Sequence, residues 1–436
     1  MLCLCYACAF AAVNLSQTSA AGVIHTLFPS VPGTASLSSA SLNQMWADIS
    51  SQYVFRNVSR SQVTVAAEQG IATMLENRYH DPFTLLLSPS GASGLSQELA
   101  GKRQGSVGMA LSLACGKGQP CPVSGSADGL VIEDVLFAQP AYQAGIRNGD
   151  LLLAVNGEPV SRFGTTWPAR LGSTAGHVDG PAGTTVRIEV RAGGSGGQIQ
   201  DFTVTRRNLV IPSVYSKLFG RVLYMQVTGF DLNTAAEARA QLKSGIAAGA
   251  TSYILDLRNN PGGYVLAAQA LVSDFVPEYT HGKRNVVVVQ RERMLAGQGQ
   301  STALSTVTTN VLPGAIATQG KVVVLVNGGT ASAAEITTLA LRDERGADVV
   351  GSRTYGKGSV QVSFSLPDGN VFHMTVARWF GPRGEGINFS GIQPGYPVKL
   401  PSPSDEFGLA TQGAPAAADT QLQEALKLAV QGGSAG

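Results

Sequence analysis

The sequence predicts an α/β fold that carries an inserted, mostly-β module and a small N-terminal helical region. Three observations predict it. From about residue 211, strand-like apolar runs alternate with helical segments. Residues 105–207 read instead as short strands and turns. Residues 41–79 place apolar side chains at three- and four-residue spacing. The chain has 436 residues, long enough for two to four domains and for a core that needs no disulfide or metal to fold. Lys and Arg number 31 against 29 Asp and Glu, a balance that excludes a basic nucleic-acid footprint and an acidic tail protein. The 44% hydrophobic content excludes general disorder, and 52 glycines point to many tight loops.

The elements follow in order. Residues 2–13, LCLCYACAFAAV, form an apolar run followed by a polar stretch ending in small residues, as in a secretory signal segment over 1–22. It is too short to span a bilayer, and no Lys or Arg precedes it. A frayed apolar terminus is the alternative. Cys3, Cys5 and Cys8 fall inside the run. Cys115 and Cys121 either close a small loop in an oxidising compartment or remain two thiols. Leu42, Met45, Trp46, Ile49 and Tyr53, then Val65, Ala66, Ile71, Met74 and Leu75, predict two helices. Pro82 ends the second, because a proline disfavours helix in the residue before it. Residues 88–104 are Ser/Gly-rich and read as a linker.

In the β module, strands are expected at 107–113, 130–137, 151–155, 185–190 and 201–204, with a short helix at 139–145 and a hairpin turn at Asn156-Gly157. No long helix is expected there. Beyond 211, strands are expected at 222–227, 253–257 and 322–326, helices at 233–247, 266–275 and 333–343, and a hairpin over 360–380. Residues 279–310 read as a polar, irregular surface insertion, 401–418 as a Pro/Ala/Ser-rich tail, and 421–430 as a short amphipathic helix.

The chemistry-bearing residues are few. The five histidines, His25, His80, His177, His281 and His373, form no metal-type pair, and no Cys/His cluster exists. The G-x-S-x-G string around Ser195 lies in a glycine-rich tip between strands, not in the strand–turn–helix setting a nucleophile elbow needs. Ser332 is the better nucleophile. It follows the 322–326 strand and opens the next helix, where unpaired N–H groups and the helix dipole favour negative charge. Ser332 and Glu335 equally fit an S-x-x-E capping box, a purely structural device. A serine nucleophile needs a base. Asp256 and Asp343 are available but are explained as turn and helix-end residues. Lys357, between two glycines, serves if burial lowers its hold on the proton. Gln361, four residues on, shares a face with Lys357 if the strand extends back that far. The turn Asn259-Asn260-Pro261-Gly262-Gly263 follows another buried strand, at the strand ends where sites form in parallel sheets.

Three motifs stand in order: Tyr253–Gly263 with its DLRNNPGG core, Ser332-Ala333-Ala334-Glu335, and Tyr355-Gly356-Lys357-Gly358-Ser359-Val360-Gln361. In this the chain resembles the C-terminal processing, or tail-specific, serine peptidases, over nearly its whole length. The resemblance implies an α/β, crotonase/ClpP-like βα core at 211–400, a PDZ-like domain at 96–210, an N-terminal helical region at 23–95 and a C-terminal tail at 401–436. It implies that Ser332 is the nucleophile, Lys357 the general base and Gln361 the residue that orients the lysine. The N–H groups of Ala333 and of the Gly262–Gly263 pair would bind the oxyanion, either glycine serving. Asp343 would support the site. Val107, Gly108 and Met109 would form the loop that grips a substrate's C-terminal carboxylate, the tail pairing as an added strand. The implied partners are proteins or peptides held by their C-termini, with no cofactor, metal or nucleic acid. Export to a periplasm, envelope or lumen is expected, with peripheral envelope association; no motif bears on oligomeric state. The enlarged 113–128 loop and the 279–310 segment depart from a minimal core. A non-catalytic ligand- or peptide-binding protein on the same fold is the alternative, and the intact Ser332/Lys357/Gln361 set speaks against it.

Overall fold

The computed structural model describes residues 39–52, 59–115, 119–120, 129–164, 167–194, 196–293, 304–402, 405–410 and 413–431. The apolar run at 2–13, its three cysteines, His25, Ser195, Cys121 and the Cys115 side chain lie outside the described residues. Among the described residues no helix is long and apolar enough to cross a membrane.

The core is a six-stranded sheet in the order Val214–Phe219, Val222–Val227, Ser252–Asp256, Val322–Val326, Asp348–Gly351, Tyr396–Pro397. The first pair is antiparallel and every later pair parallel. Period-two alternation sends successive side chains to opposite faces. Leu223, Met225, Leu255, Val324 and Val349 meet the helices Thr234–Ala247, Val265–Phe275 and Ala333–Arg345. Tyr224, Ile254, Val323, Leu325 and Val350 meet the C-terminal helix Thr420–Gln431 through Leu422, Ala425, Leu428 and Ala429. Both faces are covered, which is why Val322–Val326 is apolar without interruption and wholly buried.

The 279–310 stretch is corrected. It contains the strands Val286–Arg293 and Leu304–Asn310, paired as an antiparallel hairpin, and the first of them pairs with Val371–Phe380. The β-branched run Val286-Val287-Val288-Val289 supplies the strand preference, and Val287 and Val288 are fully buried. Val371–Phe380 also pairs with Ser359–Ser365 and with Leu85–Leu87, so the N-terminal region is built into this second sheet.

The linker expected at 88–104 is also corrected. Pro89–Leu99 is a helix whose Leu95 and Leu99 pack with Leu87, and Lys102–Ser106 is a strand. The second N-terminal helix runs Arg60–Tyr79 and ends with His80 in the left-handed region, just before Pro82. The β module has its strands at Met109–Cys115, Gly129–Val135, Leu151–Val155, Thr185–Arg191 and Ile199–Thr205. Asn156 and Gly157 both take positive φ, as the expected hairpin turn requires. Contrary to expectation the module also holds a 12-residue helix, Trp167–Val178. Gly172 and Gly176 weaken its local signal, and burial of Val178, with Trp167 and Leu171 packed on the module's core, offsets that weakness.

Candidate active site

Two adjacent parallel strands set the site. Ser252–Asp256 leads through the 257–264 turn into the helix Val265–Phe275, and Val322–Val326 leads through the 327–332 loop into Ala333–Arg345. Both turns therefore leave the sheet at its C-terminal edge. They are tied together: Thr330 Oγ1 donates to Leu257 O at 2.7 Å, and Ala331 N–H donates to Asn260 O at 2.9 Å.

Ser332 has φ 53° and ψ −116°, outside the regions a serine ordinarily occupies, and is 1% exposed. Strain of this kind costs on the order of 1–3 kcal/mol and persists only where the surroundings enforce it. Glu335 is the enforcing group. Its Oε2 accepts the Ser332 N–H at 2.9 Å, the Glu half of the capping-box pattern. The same oxygen accepts the Lys357 N–H at 2.9 Å. The two backbone nitrogens thus lie within about 6 Å of each other. Glu335 Oε1 accepts Gly356 N–H at 2.8 Å and Thr354 Oγ1–H at 2.5 Å. Burial pushes this carboxyl up, against the hydrogen bonds from Thr354, Lys357, Gly356 and Ser332. The capping reading and the reactive-serine reading are therefore not rivals here: one carboxylate caps the helix and joins the serine to the lysine loop. Sequence reasoning saw only the local half of this role.

Lys357 is 2% exposed. Its Nζ lies 5.1 Å from the Phe83 ring centroid, and its carbonyl accepts Trp379 Nε1–H at 2.9 Å. The flanking glycines are sterically required. A Cβ on Gly356 would meet Gly391 N at 2.7 Å, and one on Gly358 would meet Asn388 Cβ at 2.8 Å. Gln361 is buried. Its Nε2 donates to Ser359 Oγ at 2.8 Å and Thr375 Oγ1 at 3.0 Å, which leaves Oε1 buried with no hydrogen-bond partner. The strand starts at Ser359, so Lys357 lies outside it and strand alternation does not relate Lys357 to Gln361; opposite Val360 and Gln361 it is the partner strand that carries the extra residue, Val376. His373, buried nearby, is pushed down to about 4 by burial and then by the Lys357 charge, with Asp81 opposing.

Gly262 has φ +100°, and a Cβ there would lie 2.8 Å from Ser332 Cβ and 2.9 Å from Ala333 N. The turn thus packs directly on the Ser332–Ala333 peptide. Gly262 N–H is spent on Asn260 Oδ1 at 2.8 Å. Gly262 O accepts Phe230 N–H at 2.8 Å, so the Gly263 N–H on the same trans peptide points away from Phe230. Asp343 does not join this group. It sits eleven residues along the helix, about 16 Å from Ser332, where it pairs with Arg342 at 2.8 Å. Asp256 is likewise engaged elsewhere, buried against Arg258 and Tyr224.

In the β module, Val107 and Met109 are core residues at 0% and 7% exposure. Val107 O accepts Ala141 N–H at 2.8 Å and Gly108 O accepts Leu136 N–H at 2.9 Å, which fixes the loop; Gly108 N–H donates to Ser106 Oγ at 3.2 Å. Among the described residues no group of three or more His, Cys, Asp or Glu is placed to hold a metal ion.

Known proteins match both parts. Residues 221–398 match the model of peptidase family S41, and residues 131–191 match a PDZ domain. The carboxyl-terminal-processing protease of Synechocystis sp. is 33% identical over 89% of this chain and 82% of that protein. The carboxy-terminal processing protease of Bacillus subtilis is 27% identical over 83% of this chain and 69% of that protein. The solved photosystem II D1 C-terminal processing protease superposes with a TM-score of 0.51 at 25% identity, covering 84% of this chain and 88% of that one.

Proposed function

The chain belongs to peptidase family S41 as a carboxyl-terminal-processing serine protease, and from that premise we propose that Ser332 and Lys357 do its chemistry. The observation that carries this reading is the shared Glu335 oxygen, which brings the Ser332 and Lys357 backbones to one point. Neutral Lys357 takes the Ser332 hydroxyl proton as the oxygen attacks the scissile carbonyl. The N–H groups of Gly263 and Ala333 receive the oxyanion, since Gly262 N–H is already engaged. Protonated Lys357 then delivers its proton to the leaving amine, and water hydrolyses the acyl-enzyme. The bare Gln361 Oε1 is suited to accept from the Lys357 ammonium and so orient it. Asp343 supports the helix through Arg342 and takes no part in the reaction.

The PDZ domain holds the substrate's C-terminal tail, with the carboxylate at the backbone of 107–109 and the tail added as a strand. Residues 96–210 thus present the substrate and 211–400 cut it. Export is part of this reading and rests on the apolar 2–13 run with its small-residue flank; peripheral attachment to the cell envelope goes with it. The test is cleavage of a peptide with a free C-terminus by the wild type, Ser332→Ala and Lys357→Ala. Each variant should lose at least about 10³-fold in kcat, while Ala at any of the five histidines leaves turnover measurable. A Ser332→Ala protein that cleaves normally would overturn the assignment.

A further inference from the structure

Glu406 lies about 45 residues beyond the last motif, on a segment that touches both turns of the site. Its Oε1 accepts Asn259 Nδ2–H at 2.9 Å and its Oε2 accepts Asn327 Nδ2–H at 3.4 Å. The two asparagines are themselves interlocked. Asn327 Oδ1 accepts the N–H of Asn259 at 2.9 Å and of Gly329 at 3.0 Å, while Asn327 Nδ2 donates to Asn259 Oδ1 at 2.9 Å. Asn259 is held at φ 56° and begins the turn that carries Gly262 and Gly263; Asn327 begins the loop that carries Ser332. The same segment is anchored on both sides, with Gln226 Oε1 accepting Leu409 and Ala410 N–H and Ala410 O accepting Phe137 N–H from the PDZ domain.

We propose that Glu406 is a positioning residue for peptide hydrolysis, its carboxylate clamping Asn259 and Asn327 and so fixing the oxyanion turn against the Ser332 loop. This rests on the reading that Ser332 and the 262–263 turn form the reactive centre. Glu406 touches no reacting atom. An ionised carboxylate accepts from both amides at once, whereas a protonated one turns a donor toward an N–H and loosens one side of the clamp. Burial is the main cause that pushes the carboxyl up, to about 7; of the groups facing it Arg258 favours the ionised form, Asp256, Asp419 and Asp134 oppose it, and the Tyr224 phenol also lies against it. The clamp therefore tightens as pH rises through neutrality.

The test is steady-state cleavage of a quenched fluorogenic peptide by the full chain from pH 5.5 to 9. Wild type, Glu406→Ala, Glu406→Gln and Ser332→Ala are compared, with circular-dichroism melts of each. Glu406→Ala should lower kcat about tenfold or more with KM within about twofold. Glu406→Gln, which keeps one acceptor oxygen, should lose less, and the step near pH 7 that Glu406 adds to the acid-side fall set by Lys357 should be missing from its profile. A Glu406→Gln protein with wild-type kcat and a wild-type pH profile overturns the proposal, also where Glu406→Ala fails to fold. A loss confined to KM overturns it as well. If Ser332→Ala still cleaves, the reading of the centre itself falls; if Ser332→Ala is inert and Glu406→Gln is normal, only the positioning role falls.

Discussion

Exchanging Glu335 for glutamine changes one atom and removes half of the junction between the serine and lysine loops. The carboxylate accepts four hydrogen bonds, two at each oxygen. Glutamine keeps one acceptor oxygen and sets an NH2 group against donors at the other position. With its oxygen toward Ser332 and Lys357, the amide faces Gly356 N–H and the Thr354 hydroxyl. The hydroxyl can turn to accept, but the buried Gly356 N–H cannot. A bond to a charged acceptor contributes about 1.5–3 kcal/mol and an orphaned donor costs a similar amount, so this placement destabilises by about 2–4 kcal/mol. The opposite placement orphans the Ser332 and Lys357 N–H groups together and costs about 3–6 kcal/mol. Relief from burying a charge offsets part of either figure, since burial already pushes this carboxyl up. Urea unfolding at pH 8 should therefore show a loss of about 2 kcal/mol or more, and kcat should fall because the strained Ser332 backbone is no longer held. A Glu335→Gln protein within about 0.5 kcal/mol of wild type, with unchanged kcat, would refute the claim that this carboxylate joins the two loops.

Three further outcomes are expected. Gly262→Ala forces a Cβ to within 2.8 Å of Ser332 Cβ at φ +100°; kcat should drop at least about tenfold while calorimetry still finds tail-peptide binding, and an unchanged kcat would remove this turn from the reaction. His373 is neutral in the fold down to about pH 4 but charges near its ordinary 6.5 when unfolded. Its contribution is complete above pH 6.5 and is lost as pH falls to 4, about 3 kcal/mol in all. Urea midpoints at pH 7, 5 and 4 should show His373→Asn with a flatter acid-side decline than wild type; parallel declines would be the contrary result. Phe83→Leu keeps an apolar side chain but removes the ring face that favours the Lys357 ammonium, so the acid limb of kcat/KM should move to lower pH by about 0.5–1 pH unit. A limb that stays fixed or moves upward in the pH series would contradict that role.

Most of the fold was legible where a strand is buried on both faces or a helix has an ordinary cap. Val222–Val227, Val322–Val326 and Val371–Phe380 stand where their apolar runs put them. The misses share a physical cause, pairing or burial that no local window contains. Val286–Arg293 finds its strand partner about ninety residues on, in Val371–Phe380. Pro89–Leu99 has a serine- and glycine-rich sequence and is helical because Leu95 and Leu99 bury against Leu87. In the site, the motifs identified Ser332, Lys357 and the glycine pair. They did not show that the Gly262 N–H is already engaged, because that depends on where the Asn260 side chain turns. Glu335 read as a local cap because its second set of partners lies about twenty residues away in sequence, and Glu406 belonged to no motif at all.

The C-terminal helix does more than cover the second face of the sheet. Asp419, at its start, pairs at 2.8 Å with the buried Arg258, the residue just ahead of Asn259 and the glycine pair. Removing that carboxylate would leave Asp256 as the remaining ion-pair partner of a fully buried guanidinium, so the strand end that leads into the 257–264 turn depends electrostatically on a helix about 160 residues further along the chain.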